Sequence, residues 1–499
     1  MVGWRDCVRR PTRAGILHPR SSRRGVGEGC RVKTLPVDVL ASVINASVNA
    51  ALDTTGIQAT GVAVDSRDIR PGDVFCALEG ERVDGHDFAA EAIAAGAVAI
   101  ISNRDIAGVP CLVTDNSLEA LGRLAHWYRT HELSATVIAV TGSSGKTTTK
   151  DLIADVLPGA VVAARGSFNT EVGVPLTILE ADPSTDYLVL EMGMRGIGHI
   201  GYLAEMAEPD IGVVLNVGLA HVGMMNGPEE IAHAKSELVR ALSADDVAVL
   251  NCDDFAVSAM GEQSDAPVVW FGEGESAGIR ATGVQLDNQG RASFDLTVPG
   301  EDSVAVQLLL HGEHFVSAAL AAAAVGVSCG MSGQDIARAL SSAQARSRWR
   351  MDVQTSTRGI TVINDAYNAN PDSVRAALKT LRAMQGSGRT WAVLGEMLEL
   401  GDRSTDEHDA IGRLAVRLDI SRLVCVGPGT KVMHLAASNE GSWGDESVWV
   451  EDPQAAIDLL DEQLESGDVV LVKASRAVGM ERVPMHLLNS DSTTQGSDR

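Results

Sequence analysis

The sequence has no apolar run of the length that a membrane span needs. A transmembrane helix takes about 18–20 consecutive apolar residues. The longest candidate, Phe315 to Val327, is alanine-rich and directly follows Glu313 and His314. This pattern is typical of a helix buried in a protein core. We therefore expect no membrane span.

Paired cysteines are also lacking. The seven cysteines are scattered, without a CxxC pair or metal-ligand spacing, at positions 7, 30, 76, 111, 252, 329 and 425. Such scattering suits a reducing compartment and argues against a disulfide framework and against a zinc site. We therefore expect a cytoplasmic protein.

Basic charge is scarce outside the N-terminus. Residues 1–33 hold nine Lys and Arg against two acidic residues, which leaves 32 basic and 64 acidic side chains in the rest of the chain. A body this acidic argues against nucleic-acid binding. The basic leader lacks the apolar core of a secretory signal. We interpret it as a non-structural extension, with a transit-like segment or a disordered arm as alternatives.

The most informative stretch runs from residue 136 to residue 157. A β-branched run, Thr136 to Val140, predicts a buried strand; a glycine-bracketed turn follows, and apolar residues then recur at helical spacing until Pro158. Strand, glycine loop, Lys-Thr and helix together predict a phosphate cradle, in which backbone N–H groups and a lysine face the phosphates and a hydroxyl ligates Mg²⁺. The predicted nucleotide contacts are Gly142, Ser143, Ser144, Gly145, Lys146, Thr147 and Thr148.

This loop is a short form of the phosphate-binding pattern. The strict pattern has a glycine six residues before the lysine, where Val140 stands, and the first glycine here is Gly142. The motif is therefore GxxGKT. A glycine turn that only changes the chain direction is the alternative.

The domain organisation is α/β throughout. A chain of 499 residues is too long for one core, which predicts two to three domains. We expect a small α/β N-terminal domain that opens with a helix from Val37 to Ala51, a central P-loop-type ATPase domain with a mostly parallel sheet, and a C-terminal Rossmann-like domain without GxGxxG. The predicted boundaries are 1–31 for the basic extension, 32–134, 135–345 and 346–488 for the three domains, and 489–499 for a disordered tail.

Polar groups follow several predicted strands. Glu191 follows 187–190, and Asn251 follows 247–250. Ligands of open α/β sheets bind outside the carboxyl ends of the strands, so Glu191 near Thr147 predicts a Mg²⁺ site of hard oxygen ligands. In the N-terminal part, Asp65-Ser66-Arg67 and the loop around His86 are similar clusters, for which plain turn chemistry is the alternative.

Six segments occur in the order found in one enzyme family. They are TGSSGKTTTK (141–150), SFNTEVGVPLTIL (167–179), EMGMRGIGHI (191–200), NVGLAHVGMMNGPEEIAHAKSEL (216–238), NDAYNANPDS (364–373) and VKASRAVGMERV (472–483). Over about residues 32–488 the chain resembles the Mur ligase family, the ATP-dependent amide-forming enzymes of peptidoglycan precursor synthesis. The DAYNANP form is typical of the members that add D-alanyl-D-alanine, and the segments at 65–67 and 81–88 resemble their N-terminal domain.

The resemblance implies an activity. It implies that ATP drives the joining of D-alanyl-D-alanine to UDP-N-acetylmuramoyl-tripeptide through an acyl phosphate, by a monomer in the bacterial cytoplasm, with two Mg²⁺ ions. Two alternatives stay open at this point. One is another ligase of the wider family, adding diaminopimelate or lysine or of the folylpolyglutamate type. The other is a nucleotide-binding protein without ligase activity.

The resemblance also implies residue roles. Lys146, Lys235 and His221 are implied as catalytic, with Lys235 carbamylated by CO₂ so that its oxygens can bind a cation; the implied metal ligands are Thr147, Glu191, His221 and Lys235. A lone histidine such as His221 is otherwise more often structural. Besides the loop, the implied nucleotide contacts are Asn251, Arg350 and Asp365. The implied substrate contacts are Asp65, Ser66, Arg67 and His86 at the uridine diphosphate end, and Asn169, Thr170, Tyr367, Asn368, Asn370, Lys473, Ser475 and Arg476 elsewhere.

The chain departs from the family pattern at two positions. Ala318 stands where an asparagine is expected in the helix after His314, and Ala474 stands where a glycine is usual. The first departure implies the loss of one polar contact on the adenine side. It leaves the phosphate chemistry untouched.

Overall fold

The computed structural model describes residues 34–80, 83–218, 225, 227–441, 444 and 446–489. Within these ranges the strands form four sheets, of two, five, nine and six strands. None of the helices in this part of the chain combines the length and the apolar character that a bilayer crossing requires.

The N-terminal part contains the two smallest sheets. Its strands are β1 Leu35–Pro36, β2 Ser47–Val48, β3 Gln58–Ala59, β4 Gly61–Ala63, β5 Asp73–Cys76, β6 Ala99–Ser102 and β7 Cys111–Val113, and its helices are α1 Val37–Val43, α2 Ala89–Ala94 and α3 Ser117–Glu132. The five-stranded sheet has the order β2-β7-β6-β5-β4, and it is parallel from β4 to β7.

The predicted helix from Val37 to Ala51 is wrong in its second half. Helix α1 ends at Val43, and Asn45 then takes a positive φ of 55°. A left-handed residue breaks the helical hydrogen-bond ladder, and asparagine tolerates that conformation well. The chain after it pairs with β7 as strand β2.

The central sheet has nine strands in the order β16-β15-β14-β13-β12-β11-β8-β10-β9. The strands are β8 Thr136–Thr141, β9 Val161–Ala163, β10 Tyr187–Glu191, β11 Ile211–Val214, β12 Val247–Asn251, β13 Val268–Gly272, β14 Ile279–Leu286, β15 Arg291–Thr297 and β16 Val304–His311. The helices are α4 Lys146–Val156, α5 Gly173–Glu180, α6 His199–Ala207, α7 Pro228–Arg240, α8 Phe255–Met260, α9 Phe315–Ser328 and α10 Gly333–Ser342. The predicted mostly parallel sheet is confirmed.

An antiparallel meander, β14 to β16, extends this sheet and is absent from the sequence prediction. Its strands alternate between buried and solvent-facing residues. Helix α9 is apolar on all sides, and nearly all of its residues are buried against β12, β13 and α4. The apolar run at 315–327 is therefore a core helix, as its composition predicts.

The C-terminal sheet has six strands in the order β17-β18-β22-β19-β20-β21. The strands are β17 Asp352–Thr355, β18 Thr361–Asp365, β19 Thr390–Leu394, β20 Arg422–Val426, β21 Ser447–Val450 and β22 Val469–Lys473, and the helices are α11 Pro371–Ala383, α12 Ser404–Arg417, α13 Lys431–Gly441, α14 Pro453–Gln463 and α15 Arg482–Asn489. All pairs are parallel except β17 with β18.

The two large sheets together position the site. Strands β8 and β10 of the central sheet, and β18 and β22 of the C-terminal sheet, end in the same region. Side chains beyond the carboxyl ends of parallel strands are the usual ligand contacts of α/β folds. The α/β architecture with three strand-rich parts agrees with the predicted fold class.

Candidate active site

A cleft of about 620 Å³ lies between the central and C-terminal sheets. The central part contributes the loop before α4, the end of β10 and the start of α9. The C-terminal part contributes the loops after β18, β19 and β22, and the linker between the parts contributes Arg350 and Met351. The cleft is thus large enough for a nucleotide and a second substrate.

The loop between β8 and α4 is held in place by Asn216. Its side-chain oxygen accepts hydrogen bonds from the backbone N–H groups of Ser143, at 2.9 Å, and Ser144, at 3.0 Å. Gly145 then takes a φ of 81°, which only glycine adopts without strain, and caps helix α4. The first N–H groups of α4 have no acceptor within the helix and point toward the cleft end, where the helix dipole favours an anion.

Lys146 is the first residue of α4 and is partly buried beneath this loop. Its Nζ donates to the Gly142 carbonyl oxygen at 2.7 Å. Burial lowers the pKa of Lys146; the negative charge of Glu191 opposes this shift, and the positive charge of Arg350 adds to it. An anionic phosphate at the helix N-terminus would supply the counter-charge that this ammonium lacks.

Thr147 and Glu191 form a compact oxygen cluster next to the lysine. The Thr147 hydroxyl donates to Glu191 Oε2 at 2.8 Å, and the Asn169 amide donates to Glu191 Oε1 at 2.7 Å. Glu191 is almost fully buried. A carboxylate keeps further lone pairs after accepting two hydrogen bonds. These hard oxygen donors fit a Mg²⁺ ion.

Lys235 is buried on helix α7, although its local sequence is that of a solvated helix. Only 2% of the residue is exposed, and its Nζ donates to the Met194 sulfur, a weak acceptor, at 3.9 Å. Desolvation lowers the pKa of Lys235 well below its usual value; the positive charge of Lys146 adds to this, and Asp254 opposes it. Burial therefore raises the fraction of the neutral amine above that of a solvated lysine.

The C-terminal wall is built around a buried ion pair. Lys473 Nζ lies 2.6 Å from Asp365 Oδ2 and also donates to the Asn368 carbonyl oxygen at 2.8 Å. The two residues end neighbouring parallel strands, β22 and β18. Beside them, the Ser475 hydroxyl accepts from the Leu398 N–H at 2.8 Å and donates to the Ala369 carbonyl at 3.3 Å.

The Lys473–Asp365 pair leads to a stability prediction. Lys473→Met leaves a buried carboxylate without its cation, so we expect the free energy of unfolding to fall by about 3–5 kcal/mol. Chemical denaturation of the variant measures this. Lys379→Met, on the exposed side of α11, is the matched control and should change stability by less than about 0.5 kcal/mol. Equal effects of the two substitutions would contradict the prediction.

Two hydrogen bonds cross the cleft. The Tyr367 hydroxyl bonds the Ser167 hydroxyl, and the Asn370 amide donates to the Ser143 carbonyl at 3.5 Å. The guanidinium of Arg350 lies 4.2 Å from the centre of the Tyr367 ring. The C-terminal wall therefore touches both the phosphate loop and the segment before α5.

Most of the predicted site residues meet in this cleft. Those that line it are Ser143, Ser144, Gly145, Lys146, Thr147, Thr148, Asn169, Glu191, Arg350, Asp365, Tyr367, Asn368, Asn370, Lys473, Ser475 and Arg476. The structure does not place Gly142, Thr170, Lys235 or Asn251 on the lining. The Asn251 amide donates to the Leu215 carbonyl, and Thr170 accepts two weak backbone bonds in a turn. His221 lies outside the described residues.

The predicted contacts of the N-terminal part form two local clusters away from this lining. Asp65 accepts from the backbone and side chain of Arg67, and the Arg67 hydrogen bonds lower the pKa of Asp65 to about 2. Ser66 opens the short 3₁₀ turn between them. His86 Nδ1 lies 2.6 Å from Asp84, while its Nε2 is buried without a described partner.

Several lining residues were missed from the sequence. Ser167 and Ser317 line the cleft, as do Leu398 and Glu399 from the loop after β19. His314 also lines it, and burial lowers the pKa of His314 to about 4. A histidine at the start of an alanine-rich helix was the one signal that could have identified it.

Known proteins match nearly the whole described chain. The family models for the Mur ligase middle domain, for the Mur ligase glutamate ligase domain and for the Mur ligase family catalytic domain match residues 140–326, 349–476 and 58–129. A UDP-N-acetylmuramoyl-tripeptide–D-alanyl-D-alanine ligase of Mycobacterium tuberculosis H37Rv is 45% identical over 504 residues, covering 92% of this chain and 98% of that protein. The chain belongs to the Mur ligase family.

Other members of the Mur ligase family agree with this assignment. The ligase of the same name from Mycobacterium leprae is 46% identical over 470 residues, which covers 84% of this chain and 91% of the Mycobacterium leprae protein. The crystal structure of MurF from Acinetobacter baumannii superposes with a TM-score of 0.83 at 31% identity, over 92% of this chain and 99% of that one. The crystal structure of MurF ligase from Thermotoga maritima in complex with ADP superposes with a TM-score of 0.75 at 29% identity. The match covers 86% of this chain and 97% of that one.

Proposed function

We propose that this Mur ligase joins D-alanyl-D-alanine to UDP-N-acetylmuramoyl-tripeptide while ATP becomes ADP and phosphate. The main support for this proposal is the 45% identity to the UDP-N-acetylmuramoyl-tripeptide–D-alanyl-D-alanine ligase of Mycobacterium tuberculosis H37Rv, over 92% of this chain. The cleft has the parts that the reaction needs, since a phosphate loop faces a wall with two cations, Lys473 and Arg476. The product is the UDP-muramoyl-pentapeptide used in peptidoglycan synthesis.

The chemistry needs an activated carboxylate. A carboxylate oxygen of the tripeptide attacks the γ-phosphorus of ATP, the bond to the β-phosphate oxygen breaks, and an acyl phosphate and ADP form. The dipeptide amine then attacks the acyl carbon, loses a proton, and expels phosphate as the C–O bond breaks. Lys146 and the N-terminus of α4 hold the β- and γ-phosphates in line for the first step.

The oxygen cluster completes the phosphate site. Thr147 and Glu191 would hold Mg²⁺, which neutralises charge on the phosphate oxygens when bound. We propose a second ion near Lys235 and His221. What supports it is the buried Lys235 amine, whose pKa is lowered by burial: only a neutral amine adds CO₂, and the resulting carbamate oxygens are hard anionic ligands.

The remaining contacts are assigned by their position. We propose Arg350 and Asp365 as nucleotide contacts, with Asn251 supporting the loop beneath them. On the substrate side we propose Asn169 and Thr170 near the reacting carboxylate and, from the C-terminal wall, Tyr367, Asn368, Asn370, Lys473, Ser475 and Arg476. The uridine diphosphate end would meet Asp65, Ser66, Arg67 and His86.

The domain limits, the oligomeric state and the cellular location of the protein are also proposals. We place the domains at 32–134, 135–345 and 346–488, since each of the larger sheets falls within one of these ranges. The extension 1–31 and residues 490–499 of the proposed tail 489–499 lie outside the described residues, whereas Asn489 ends helix α15. We propose a monomer, because both walls of the cleft come from one chain. A cytoplasmic location suits an ATP-consuming enzyme whose described cysteines are free.

Product analysis tests the proposed function. Purified protein with ATP, Mg²⁺, the UDP-linked tripeptide and D-alanyl-D-alanine should yield a product heavier than the tripeptide by one dipeptide less one water. D-alanine, lysine and glutamate in place of the dipeptide are the comparison amines. A product formed with one of those amines and not with the dipeptide would move the chain to a different ligase of the family.

A further inference from the structure

The linker into the C-terminal sheet contains two residues in a strained backbone conformation. Trp349 has a φ of 61° and Met351 a φ of 50°, and they flank Arg350. The left-handed region is rare for any residue other than glycine, asparagine or aspartate, and a bulky side chain there is an outlier. Such conformations persist only where the surrounding contacts fix them, and they cluster at functional sites.

Backbone contacts fix the linker onto the C-terminal wall. The Trp349 carbonyl accepts from the Tyr367 N–H at 3.1 Å, and the Met351 N–H donates to Asp365 Oδ1 at 3.2 Å. The strained segment is therefore tied to the end of β18 at both of its outer residues. These backbone contacts place the Arg350 side chain against Tyr367 and the Trp349 side chain against Arg476.

The side chains of the linker and the wall form a reciprocal pair of cation–aromatic contacts. Arg350 of the linker lies over the ring of Tyr367 in the wall, at 4.2 Å. Arg476 of the wall lies over the ring of Trp349 in the linker, at 4.3 Å. Both arginines line the cleft. Each cation is thus oriented by an aromatic ring from the other element.

Arg476 is the more exposed of the two arginines. Its side chain is about half exposed at 49%, and it pairs with Glu481 at 3.2 Å. Stacking on the indole uses the face of the guanidinium, so the N–H groups that do not pair with Glu481 stay available to a planar carboxylate. Without the ring, a long exposed side chain must be ordered at the moment of binding.

We propose that Trp349 is a positioning residue that holds Arg476 ready for the carboxylate of the incoming dipeptide. This rests on the proposed function. The tripeptide carboxylate must react beside Lys146 at the phosphate loop, whereas the half-exposed Arg476 lies on the opposite wall. D-Alanyl-D-alanine has one carboxylate, at the end remote from its amine, which suits a cation on the wall that faces the phosphate loop.

The test compares Trp349→Leu with Trp349→Phe in the full-length enzyme. Trp349→Leu should raise the KM for D-alanyl-D-alanine roughly three- to tenfold, while kcat and the KM values for ATP and the tripeptide change by less than about twofold. Trp349→Phe keeps an aromatic face and should recover most of the loss. Trp449→Leu is the matched control, since Trp449 stacks with Lys431 at 4.3 Å outside the cleft lining, and it should leave all three KM values unchanged.

A double-mutant cycle shows whether Trp349 acts through Arg476. In an Arg476→Ala background, Trp349→Leu should add nothing further to the KM for the dipeptide. An additive effect in that background, a rise in the tripeptide KM instead, or no change in Trp349→Leu would each overturn the proposal. If the unsubstituted enzyme makes no product with the dipeptide, the proposed function fails instead. Thermal unfolding of each variant separates loss of fold from loss of positioning.

Discussion

Lys146→Ala should lower the rate of product formation by about 10³-fold or more and leave the fold intact. The lysine is a partly buried cation at the N-terminus of α4, where we propose that the γ-phosphate is transferred. Charge that develops on the phosphate oxygens in the transition state would lose its nearest fixed counter-charge. The structure should tolerate the change, because alanine removes a partly buried charge along with one hydrogen bond to the Gly142 carbonyl.

Lys150 provides the matched control on the same helix. It is one turn further along α4 and more buried than Lys146, and its Nζ donates to the Ala164 carbonyl at 2.6 Å and pairs with Asp151 at 2.7 Å. Lys150→Ala should therefore cost about 1–3 kcal/mol of stability while changing kcat by less than about threefold. Initial rates and chemical denaturation of both variants measure the two effects. Product formation by Lys146→Ala at a rate close to that of the unsubstituted enzyme would refute the phosphate assignment.

Lys235→Arg is expected to lower kcat by about 10²–10³-fold. Arginine keeps the positive charge, but its guanidinium stays protonated and does not add CO₂. In the unsubstituted enzyme burial lowers the pKa of Lys235, so the fraction of neutral, CO₂-reactive amine near neutral pH is higher than for a solvated lysine. Raising the pH increases that fraction further, and lowering the pH reduces it.

Carbon-13 NMR measures the modification without relying on activity. In labelled bicarbonate the unsubstituted enzyme should show one protein-bound carbamate signal that is missing from Lys235→Arg. Lys379→Arg, at an exposed position on α11, should keep both the signal and the activity. Full activity of Lys235→Arg, with no carbamate signal in either protein, would show that the second cation site needs no carbamate.

The strands around the site were predictable because parallel strands are buried on both faces. Runs such as 136–140, 187–190 and 469–472 are continuously apolar, which is the pattern that such burial produces. The meander β14 to β16 was missed because its strands alternate between apolar and polar residues around turns. Helix α1 was predicted too long because the left-handed turn at Asn45 interrupts a stretch that has helical composition.

The site was predictable where its chemistry is local in sequence. The phosphate loop carries its own signal in spacing and glycines, and Glu191 follows a buried strand. His314, Leu398 and Glu399 reach the cleft only because the C-terminal sheet approaches the central one, and no local pattern encodes that approach. The same holds for Lys235, whose burial depends on how α7 packs and not on its neighbours in the sequence.

Phosphate release tests the central claim most directly. Purified protein is given ATP, Mg²⁺ and UDP-N-acetylmuramoyl-tripeptide, with and without D-alanyl-D-alanine, and the released phosphate is measured. A ligase that holds its acyl phosphate away from water should release phosphate at a sustained rate only when the dipeptide is present. Release at the same rate without the dipeptide, or none with it, would contradict the assignment of this cleft as the site of D-alanyl-D-alanine addition.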